Sequence, residues 1–428
     1  MPADLAILGL GHLGLPAAQA ATAQSVVTVG FTSDPGEAAA LRAGRPPVEG
    51  SLSAAELRRM LAVGFTATSD TAVLSRVRAA LICEAAPLGP DRTLDLDGVR
   101  TAARALAPGL RPHSLVVLET PVYPGTTEEV VRPLLEEGSG LRAGRDFHLA
   151  YSPSRVDPSR AEAPRGDAAR RDAAATPRVI GGLTAACTEA AVAFYGRLAE
   201  KAVRARGLKE AETVKVLETN FRHVNTAFVN EMAVLCHDLG VDLWDVLRCA
   251  EANPAGFPVF RPGPGIGGHS VPVDPGCLPT ARRIPGHPPR MVELAQEVNE
   301  RMPRYVTQRV ATLLNEHGKS LRGARVLLLG VTYQPDVADQ EGAPAREIAA
   351  RLRDLGAELT FHDPYVAHFR PAGRAVPRAH GLYEAAADAD LTLLLQHHGV
   401  YDLHGLAAKA QLLLDTRGAT PAGACHRL

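Results

Sequence analysis

The glycine-rich segment GLGHLG, residues 9–14, constrains the fold of this chain more than any other feature. It follows the apolar run DLAILG (4–9), which predicts a short buried strand, and it opens a stretch of helical character. Glycine at positions 9, 11 and 14 permits a tight turn and lets backbone N–H groups approach a pyrophosphate at the positive end of a helix. We therefore expect a dinucleotide-binding strand–turn–helix unit here, rather than a tight turn without a ligand.

Further apolar runs extend this unit into a sheet. Segments typical of strands recur in the first part of the chain, at 25–31, 78–85 and 114–120. Helical stretches separate them, and such alternation predicts a doubly wound parallel sheet. After a helical middle region, a second strand–loop–helix series begins with GARVLLLGVTY (323–333). The fold class is therefore α/β, and the expected domains are residues 1–182, 183–310 and 311–428.

Composition and charge exclude several classes of function. The 428 residues carry a net charge of −1, so there is no electrostatic footprint for nucleic acid or an anionic membrane. No apolar run reaches the roughly 18–20 residues of a membrane span, and no basic segment precedes the first strand as in a signal peptide. The six cysteines have neither paired nor metal-ligand spacing, so we expect no metal site and a cytoplasmic location.

The end of the second expected strand bears on the choice of cofactor. An acidic residue usually stands there and binds the adenosine ribose. The sequence reads VGFTSDP, so Thr32 occupies the usual position and Asp34 lies two residues later. Thr32 and Ser33, with Arg42 or Arg45 nearby, would instead suit a 2′-phosphate. We expect NAD, and NADP stays open as the alternative.

Lys215 lies within the run EAETVKVLETNFRHVNTAFVNEMAVLCHDLG, whose apolar spacing predicts one long, mostly buried helix. A lysine on such a helix is usually a surface residue whose stem covers apolar neighbours. Almost all of the basic charge in this chain is carried by arginine, however, and only five lysines occur. A lysine kept in that background indicates a need for a compact, titratable amine, so we expect Lys215 to be functional.

The loop GPGIGGHSVPVDPGCL (263–278) brings His269, Ser270 and Asp274 within six residues. This combination suggests a hydrolase, but the GxSxG elbow that activates a serine nucleophile is absent. The glycines of this loop are typical of backbone that approaches a ligand closely. The residues alone therefore indicate a loop that approaches a ligand and leave its catalytic role open.

Taken in order along the chain, these motifs resemble the nucleotide-sugar 6-dehydrogenases, the family of UDP-glucose, GDP-mannose and UDP-N-acetylmannosamine dehydrogenases. The resemblance covers essentially the whole chain. It is carried by GLGHLGLP, LRAGRPPVEG, ETPVYPGTTEEVV, YSPSRVDP, PRVIGG, VKVLETNFRHVNTAFVNE, GPGIGGHSVPVDP, GVTYQPDVADQEGAPA and FHDPYV.

The resemblance implies an N-terminal Rossmann domain for the cofactor, a central helical dimerisation region with a long connecting helix, and a C-terminal Rossmann-like domain for the nucleotide-sugar. Members of the family oxidise a sugar primary alcohol to a carboxylate and reduce two NAD per turnover. Their route passes through a thiohemiacetal and a thioester on a cysteine. The implied partners are a nucleotide-activated sugar and a second copy of the chain, with neither nucleic acid nor membrane.

This chain departs from the family pattern at the covalent and hydrolytic positions. Ser270 stands where the family has its nucleophilic cysteine, and Cys277 lies beyond Asp274, so it does not replace that thiol. Ser154 stands in place of the hydrolytic glutamate. Further departures are Thr219 for asparagine (with Asn220 displaced by one), Pro121 for threonine, Gln334 for lysine and EGA (341–343) for RES.

The expected site residues follow from the motifs and the resemblance together. The expected catalytic residues are Lys215, Thr219, Asn220, Ser270 and Asp274. The expected cofactor contacts are Gly9, Gly11, His12, Leu13, Gly14, Thr32, Asp34 and Thr120. The expected substrate contacts are Arg155, Gly265, Gly267, Gly268, His269, Tyr333 and Gln334.

Three functions are consistent with this pattern. Because a serine hydroxyl is far less nucleophilic than a thiolate, we expect an NAD(P)-dependent enzyme that acts on a nucleotide-sugar without the thioester route. Its net reaction would be redox-neutral, an epimerisation or dehydration through a transient carbonyl, as in specialised metabolism. The first alternative is a 6-dehydrogenase that forms a uronate through Ser270 or a hydrated aldehyde. The second is a non-catalytic homologue that binds NAD or the nucleotide-sugar.

Overall fold

The computed structural model describes residues 4–46, 52–89, 93–153, 177–199, 201–253, 256–268, 289–340, 342–421 and 423–428. These residues form two compact units. The first contains the described residues up to Glu218, and the second contains those from Thr219 onward.

The strands of the first unit are β1 (Leu5–Leu8), β2 (Thr28–Phe31), β3 (Thr66–Thr68), β4 (Ala79–Ile82), β5 (Leu115–Leu118), β6 (His148–Tyr151), β7 (Arg178–Gly182) and β8 (Ala202–Arg204). Its helices are α1 (Gly14–Ala23), α2 (Pro35–Arg42), α3 (Ala54–Ala62), α4 (Asp97–Leu106), α5 (Arg132–Ser139) and α6 (Ala185–Tyr195). The helix α7 (Leu208–Asp238) begins in the first unit and ends in the second.

The first unit is built on one eight-stranded sheet with the order β3-β2-β1-β4-β5-β6-β7-β8. All neighbouring strands are parallel except β6 and β7, which are antiparallel. The central strands β1, β4 and β5 are buried along their whole length, as the continuous apolar runs of the sequence predict for a parallel sheet covered on both faces. The carboxyl ends of β1, β2 and β4 therefore lie side by side at one edge.

The second unit continues with the helices α8 (Leu243–Glu251), α9 (Arg290–Glu316), α10 (Pro344–Asp354), α11 (Leu382–Asp388) and α12 (Leu403–Lys409). Its strands are β9 (Arg325–Leu329), β10 (Glu358–His362), β11 (Leu391–Leu394), β12 (Leu413–Asp415) and β13 (His426–Arg427). They form a parallel sheet with the order β10-β9-β11-β12-β13. The predicted α/β class, with a Rossmann-like domain at each end and a helical region between them, is confirmed.

His223 is a buried polar residue on α7 within the second unit. It is 6% exposed, and neither ring nitrogen has a hydrogen-bond partner among the described residues. Burial lowers the pKa of this imidazole to about 4, and Glu300 opposes the shift only in part. The native state therefore holds His223 neutral, whereas the unfolded chain takes up a proton near pH 6.5.

This difference predicts acid sensitivity of the second unit. Because the folded-state pKa lies below the unfolded value, stability falls as pH drops from about 6.5 to about 4. Between pH 7 and pH 5, we expect the free energy of unfolding to fall by roughly 2 kcal/mol less in His223→Leu than in the unchanged protein. Urea unfolding at both pH values measures the effect. The same change at the exposed His404 is the control, and equal pH slopes in the two variants would contradict the prediction.

Candidate functional site

The glycine turn between β1 and α1 is shaped by contacts within the backbone. Gly9 has a φ of +93°, and a Cβ added there would lie 2.7 Å from the Glu84 backbone nitrogen. A Cβ on Gly14 would lie 1.8 Å from the Gly9 carbonyl oxygen. Gly11 differs, since a Cβ there would have no atom within 4 Å. Two glycines are thus required by the fold, and the third leaves open space beside the turn.

The start of α1 fits a bound pyrophosphate. Leu13 is the N-cap residue and makes no side-chain capping hydrogen bond, and no acidic residue lies in the first turn. The positive end of this ten-residue helix is therefore not neutralised by the chain itself. Together with the open space at Gly11, this end provides N–H donors for a dinucleotide phosphate. His12 and Leu13 are both half-buried in the turn.

The residues after β2 show how the ribose end is arranged. Asp34 is the N-cap of α2, where its Oδ1 accepts a hydrogen bond of 2.7 Å from the Gly36 N–H. The buried Thr32 accepts a 3.3 Å bond from the Asp34 N–H and donates its hydroxyl hydrogen to Glu37 Oε2. The carboxylate beside the strand end therefore comes from Glu37, one turn into α2. The sequence analysis missed it because the helix, not the sequence spacing, brings it back to Thr32.

A second carboxylate lies close to Glu37. Glu84 follows β4, and burial together with the negative charge of Glu37 raises its pKa to about 6. The two side chains are thus near enough to interact at the edge where β1, β2 and β4 end. Arg42, by contrast, lies in the last turn of α2, at the end away from Thr32. This acidic setting suits ribose hydroxyls and repels a 2′-phosphate.

Thr120 and its neighbour Glu119 follow β5. Thr120 is fully buried, and its hydroxyl donates a 2.8 Å bond to the Glu84 carbonyl. Glu119 is 1% exposed; it pairs with Arg178 at 3.1 Å and accepts a 2.5 Å bond from the Tyr195 hydroxyl. This buried pair joins the strand end to β7 and α6. Thr120 therefore connects the ends of β4 and β5.

The first turns of α7 place Lys215. Glu212 is fully buried and accepts bonds from the Gly125 N–H at 2.5 Å, the Thr127 N–H at 2.9 Å and the Thr127 hydroxyl at 2.6 Å. These bonds fix the start of α7 to the turn after β5. Lys215 follows three residues later, is half-buried, and makes no hydrogen bond or ion pair with another described residue. Its ammonium group therefore takes no part in a structural contact with these residues.

Thr219 and Asn220 continue along the same helix but belong to the second unit. Both are buried, at 6% and 7% exposure. The first unit therefore holds Lys215 and the cofactor residues, and the second holds Thr219, Asn220 and the glycine loop.

In the second unit the loop 263–268 packs against the segments after β9. A Cβ on Gly267 would lie 1.9 Å from the Gly342 carbonyl oxygen, and one on Gly268 would lie 2.8 Å from the Tyr333 ring. A Cβ on Gly265 would lie 3.2 Å from the Pro344 ring. The glycines expected from the sequence, together with Tyr333, thus form one surface. Gly342, which departs from the family pattern, is itself part of it.

A chain of amide hydrogen bonds fixes this loop to α7. Asn230 is fully buried; its Oδ1 accepts a 2.9 Å bond from the Gly263 N–H, and its Nδ2 donates one of 2.9 Å to Asn299 Oδ1. Asn299 Nδ2 in turn donates to the His223 carbonyl at 3.2 Å. One of these bonds joins the loop to α7, and the other two join α7 to α9. The position of the loop therefore depends on how the two helices pack.

The turn that carries Tyr333 and Gln334 is held by a buried Asp–His pair. Asp363 accepts a 2.8 Å bond from the Val331 N–H and lies 3.0 Å from His398 Nε2. His398 Nδ1 accepts from the Asp336 N–H at 2.7 Å, so the imidazole is neutral with its hydrogen on Nε2. Gln334 is 8% exposed in this turn. Asp363 of the FHDPYV motif therefore fixes the turn that carries Tyr333 and Gln334.

Arg417 is a functional candidate that the sequence analysis missed. Its Nε donates a 2.7 Å bond to the Leu395 carbonyl, and its guanidinium lies 3.2 Å from where a Gly263 Cβ would be. Burial lowers its pKa, and the neighbouring Tyr333 and Asp415 oppose the shift. The signal available in the sequence was the position of DTRG directly after the last long apolar run, at the carboxyl end of a strand.

Four expected site residues lie outside the described residues: Arg155, His269, Ser270 and Asp274. Ser154, Cys277 and Glu341 also lie outside them. Within the described ranges, no group of three or more His, Cys, Asp or Glu side chains is placed to hold a metal ion. In the same part of the chain, no helix combines the length and the apolar character needed to cross a membrane.

Sequence profiles of one family match this chain in three consecutive segments. The NAD binding domain of the UDP-glucose/GDP-mannose dehydrogenase family matches residues 3–199. The central domain of that family matches residues 209–301. Its UDP binding domain matches residues 327–422. The cofactor of the first unit is accordingly NAD.

Individual relatives match over the same extent. A UDP-N-acetyl-D-mannosamine dehydrogenase of Pyrococcus horikoshii is 30% identical over 85% of this chain and 84% of its own length. A UDP-N-acetyl-D-mannosamine dehydrogenase of Escherichia coli is 28% identical over 97% of this chain and 99% of its own. A solved structure of a UDP-D-ManNAc dehydrogenase from Pyrococcus horikoshii has a TM-score of 0.84 at 26% identity, covering 99% of this chain and 98% of that one.

The arrangement at the end of β2 predicts which carboxylate selects the cofactor. We expect Glu37→Gln to weaken NAD binding about tenfold, because one charge-assisted hydrogen bond to the ribose is lost. Binding of NADP should strengthen, since a repelling charge is removed. Isothermal titration calorimetry with NAD and with NADP measures the two changes in affinity.

Asp34→Asn is the matched control for this prediction. It removes a carboxylate three residues away, yet asparagine caps a helix as well as aspartate does. NAD affinity should therefore stay within about twofold of the unchanged protein. A larger loss in Asp34→Asn than in Glu37→Gln would assign the ribose to Asp34 instead.

Proposed function

The chain belongs to the UDP-glucose/GDP-mannose dehydrogenase family, and from that premise we propose that it is an NAD-dependent 6-dehydrogenase that converts a UDP-activated sugar to the corresponding uronate. The observation that carries the proposal is the end-to-end match to relatives named as dehydrogenases of UDP-N-acetyl sugars. A match at one domain alone would leave the reaction open. Here the cofactor, central and UDP domains all occur in one order.

We propose a UDP-linked 2-acetamido sugar as the substrate class. The proteins of Escherichia coli and Pyrococcus horikoshii are named for UDP-N-acetyl-D-mannosamine, which carries such a group. Arg417 beneath the loop at Gly263 supplies a cation for the diphosphate, and the Tyr333 ring supplies a stacking surface beside the glycines.

Lys215 is proposed to handle the charge that develops on the sugar oxygen. Its ammonium group has no partner among the described residues, although the side chain is half-buried. A compact cation in that setting stabilises an alkoxide and can return a proton to solvent. NAD, when bound, accepts the hydride. The buried Glu212 keeps the start of α7, and with it Lys215, in position.

The second oxidation is proposed to pass through a hydrated aldehyde. Water adds to the aldehyde carbon to give a gem-diol, and loss of a second hydride from that carbon and a proton from oxygen gives the carboxylic acid. No covalent bond to the enzyme is needed, so Ser270 does not have to replace a thiolate. Lys215 and Asp274 are the proposed groups that orient the added water.

We further propose that the protein is a homodimer in the cytoplasm. Large apolar side chains recur on the exposed side of α7, at Phe221, Phe228, Leu235 and Leu239, with exposures of 54%, 56%, 48% and 67%. The spacing of seven residues places the first three on one face of the helix, and an exposed stripe of this kind is typical of an interface. The described cysteines are all free, which suits a reducing compartment.

A redox-neutral reaction on the same substrate remains the second candidate. The observation that favours it is Ser270 at the position where the family route needs a thiol. The comparisons give it no support, since the matched relatives are named as dehydrogenases.

A mass balance separates the two reactions. Purified protein is incubated with NAD and a panel of UDP-sugars, and reduced cofactor and product mass are followed together. The proposal expects two NADH per sugar and a product heavier by about 14 mass units, as conversion of CH₂OH to COOH requires. A product of unchanged mass, or one lighter by a water, without net NADH would overturn the uronate assignment.

Variants of Lys215 test its role in the reaction. We expect Lys215→Met to lower kcat at least a hundredfold, because stabilisation of a developing charge typically contributes about 3 kcal/mol. NAD affinity, measured by calorimetry, should be unchanged. Lys409→Met, which removes a lysine at the end of α12, is the control. A kcat for Lys215→Met within threefold of the control would remove Lys215 from the mechanism.

A further inference from the structure

A cavity of about 300 Å³ lies in the second unit, apart from the loop 263–268, Tyr333 and Arg417. It is formed where the end of α7 and the start of α8 meet α9 and β13. Its polar lining consists of His237, Asp242, Arg309, Cys425, His426 and Arg427. The proposed reaction uses none of these residues.

Arg309 is the central cation of this cavity. The residue is only 7% exposed, and its guanidinium makes no hydrogen bond or ion pair with another described residue. Its nitrogens are nevertheless not enclosed by protein, so they are accessible from the cavity. A guanidinium in this position has donors left for an anion that enters the cavity.

The other cations of the cavity are also incompletely satisfied. Arg427 donates from Nη2 to the Thr420 carbonyl, but its buried Nε has no acceptor in the described part of the chain. Asp242 is the carboxylate of the lining, and its Oδ1 is engaged by the Trp244 N–H at 2.9 Å as the N-cap of α8. Arg309 therefore faces the cavity without a carboxylate side chain committed to it, and Arg427 lines the cavity with part of its guanidinium already bonded.

The positive charge of this site contributes to a lowered pKa of both imidazoles in the lining, His237 and His426. Burial and then Arg309 lower the pKa of His237, while Asp238 and Glu316 oppose the shift. For His426 the causes are burial, the neighbouring His317 and Arg309, again opposed by Glu316. Asp238, Glu316 and His317 are all exposed. An anion in the cavity would reverse these shifts, and protonation of the imidazoles would then add to its binding.

We propose that this cavity binds a phosphate group, as inorganic phosphate or as part of a small phosphorylated metabolite. Arg309 supplies the planar donor pair that suits phosphate oxygens, and Arg427 supplies a second guanidinium. His237 and His426 lie in the same lining and supply further ring nitrogens for hydrogen bonds. The volume accommodates a phosphate with a short carbon chain.

Trp244, the only tryptophan of the chain, provides a local signal for the test. It follows Asp242 and Leu243 of the lining, and its Nε1 donates a 3.0 Å bond to the Leu428 carbonyl, which also lines the cavity. Fluorescence of the full chain is followed while inorganic phosphate or glycerol 3-phosphate is added at constant ionic strength. Saturable binding at pH 7 is expected.

Arg309→Gln should weaken this binding at least tenfold. Arg304→Gln, which removes an exposed arginine from the same helix, is the matched control and should stay within twofold. Arg309→Lys keeps the charge and should bind with intermediate affinity, which guards against a misfolded glutamine variant. Tighter binding of glycerol 3-phosphate than of phosphate would identify a metabolite as the ligand, and the reverse would identify the free ion.

Several results would overturn the proposal. These are the absence of a saturable response below about 10 mM phosphate, an equal loss in the Arg304 and Arg309 variants, or equal competition by chloride. Neither the turnover of UDP-sugars nor the binding of NAD enters the measurement. Failure here is therefore distinguishable from failure of the proposed dehydrogenase reaction.

Discussion

Close approach of backbone to backbone at glycine is the constraint on which the candidate site residues of each unit depend. In the first unit the turn after β1 closes because Gly14 lies against the Gly9 carbonyl, where a Cβ would come within 1.8 Å. In the second unit the loop 263–268 closes in the same way, with Gly267 against the Gly342 carbonyl. A side chain at either point would push apart the backbone segments that meet there.

Buried polar groups then fix the elements that carry the chemistry. Glu212 satisfies three donors of the turn at Gly125 and Thr127, and so places the helix that carries Lys215. The Asp363–His398 pair does the same for the turn that carries Tyr333. These groups are fully bonded, as buried polar groups normally are. His223 is one of the exceptions, since both of its ring nitrogens lack a partner among the described residues.

The departures from the family pattern reach the framework at one point, since Gly342 forms the close contact with Gly267. The cofactor turn and the start of α7 are fixed by contacts of their own. At the end of β2, Thr32 takes the position that is usually acidic, and Glu37 brings a carboxylate to it from the next helix.

The sequence by itself determined the α/β class, the two strand–turn–helix series, the cofactor turn and the long helix, since these follow from apolar periodicity and glycine spacing that act locally. It also led to Lys215, Tyr333 and the glycine loop as candidate site residues, and their roles stay predictions. It did not identify Glu37, Glu84, Arg417 or Arg309. Each of these acquires its role from neighbours distant in the chain: Glu37 from its contact with Glu84, and Arg417 from Gly263 and Tyr333. Burial and charge depend on which segments meet, and only the tertiary structure decides that.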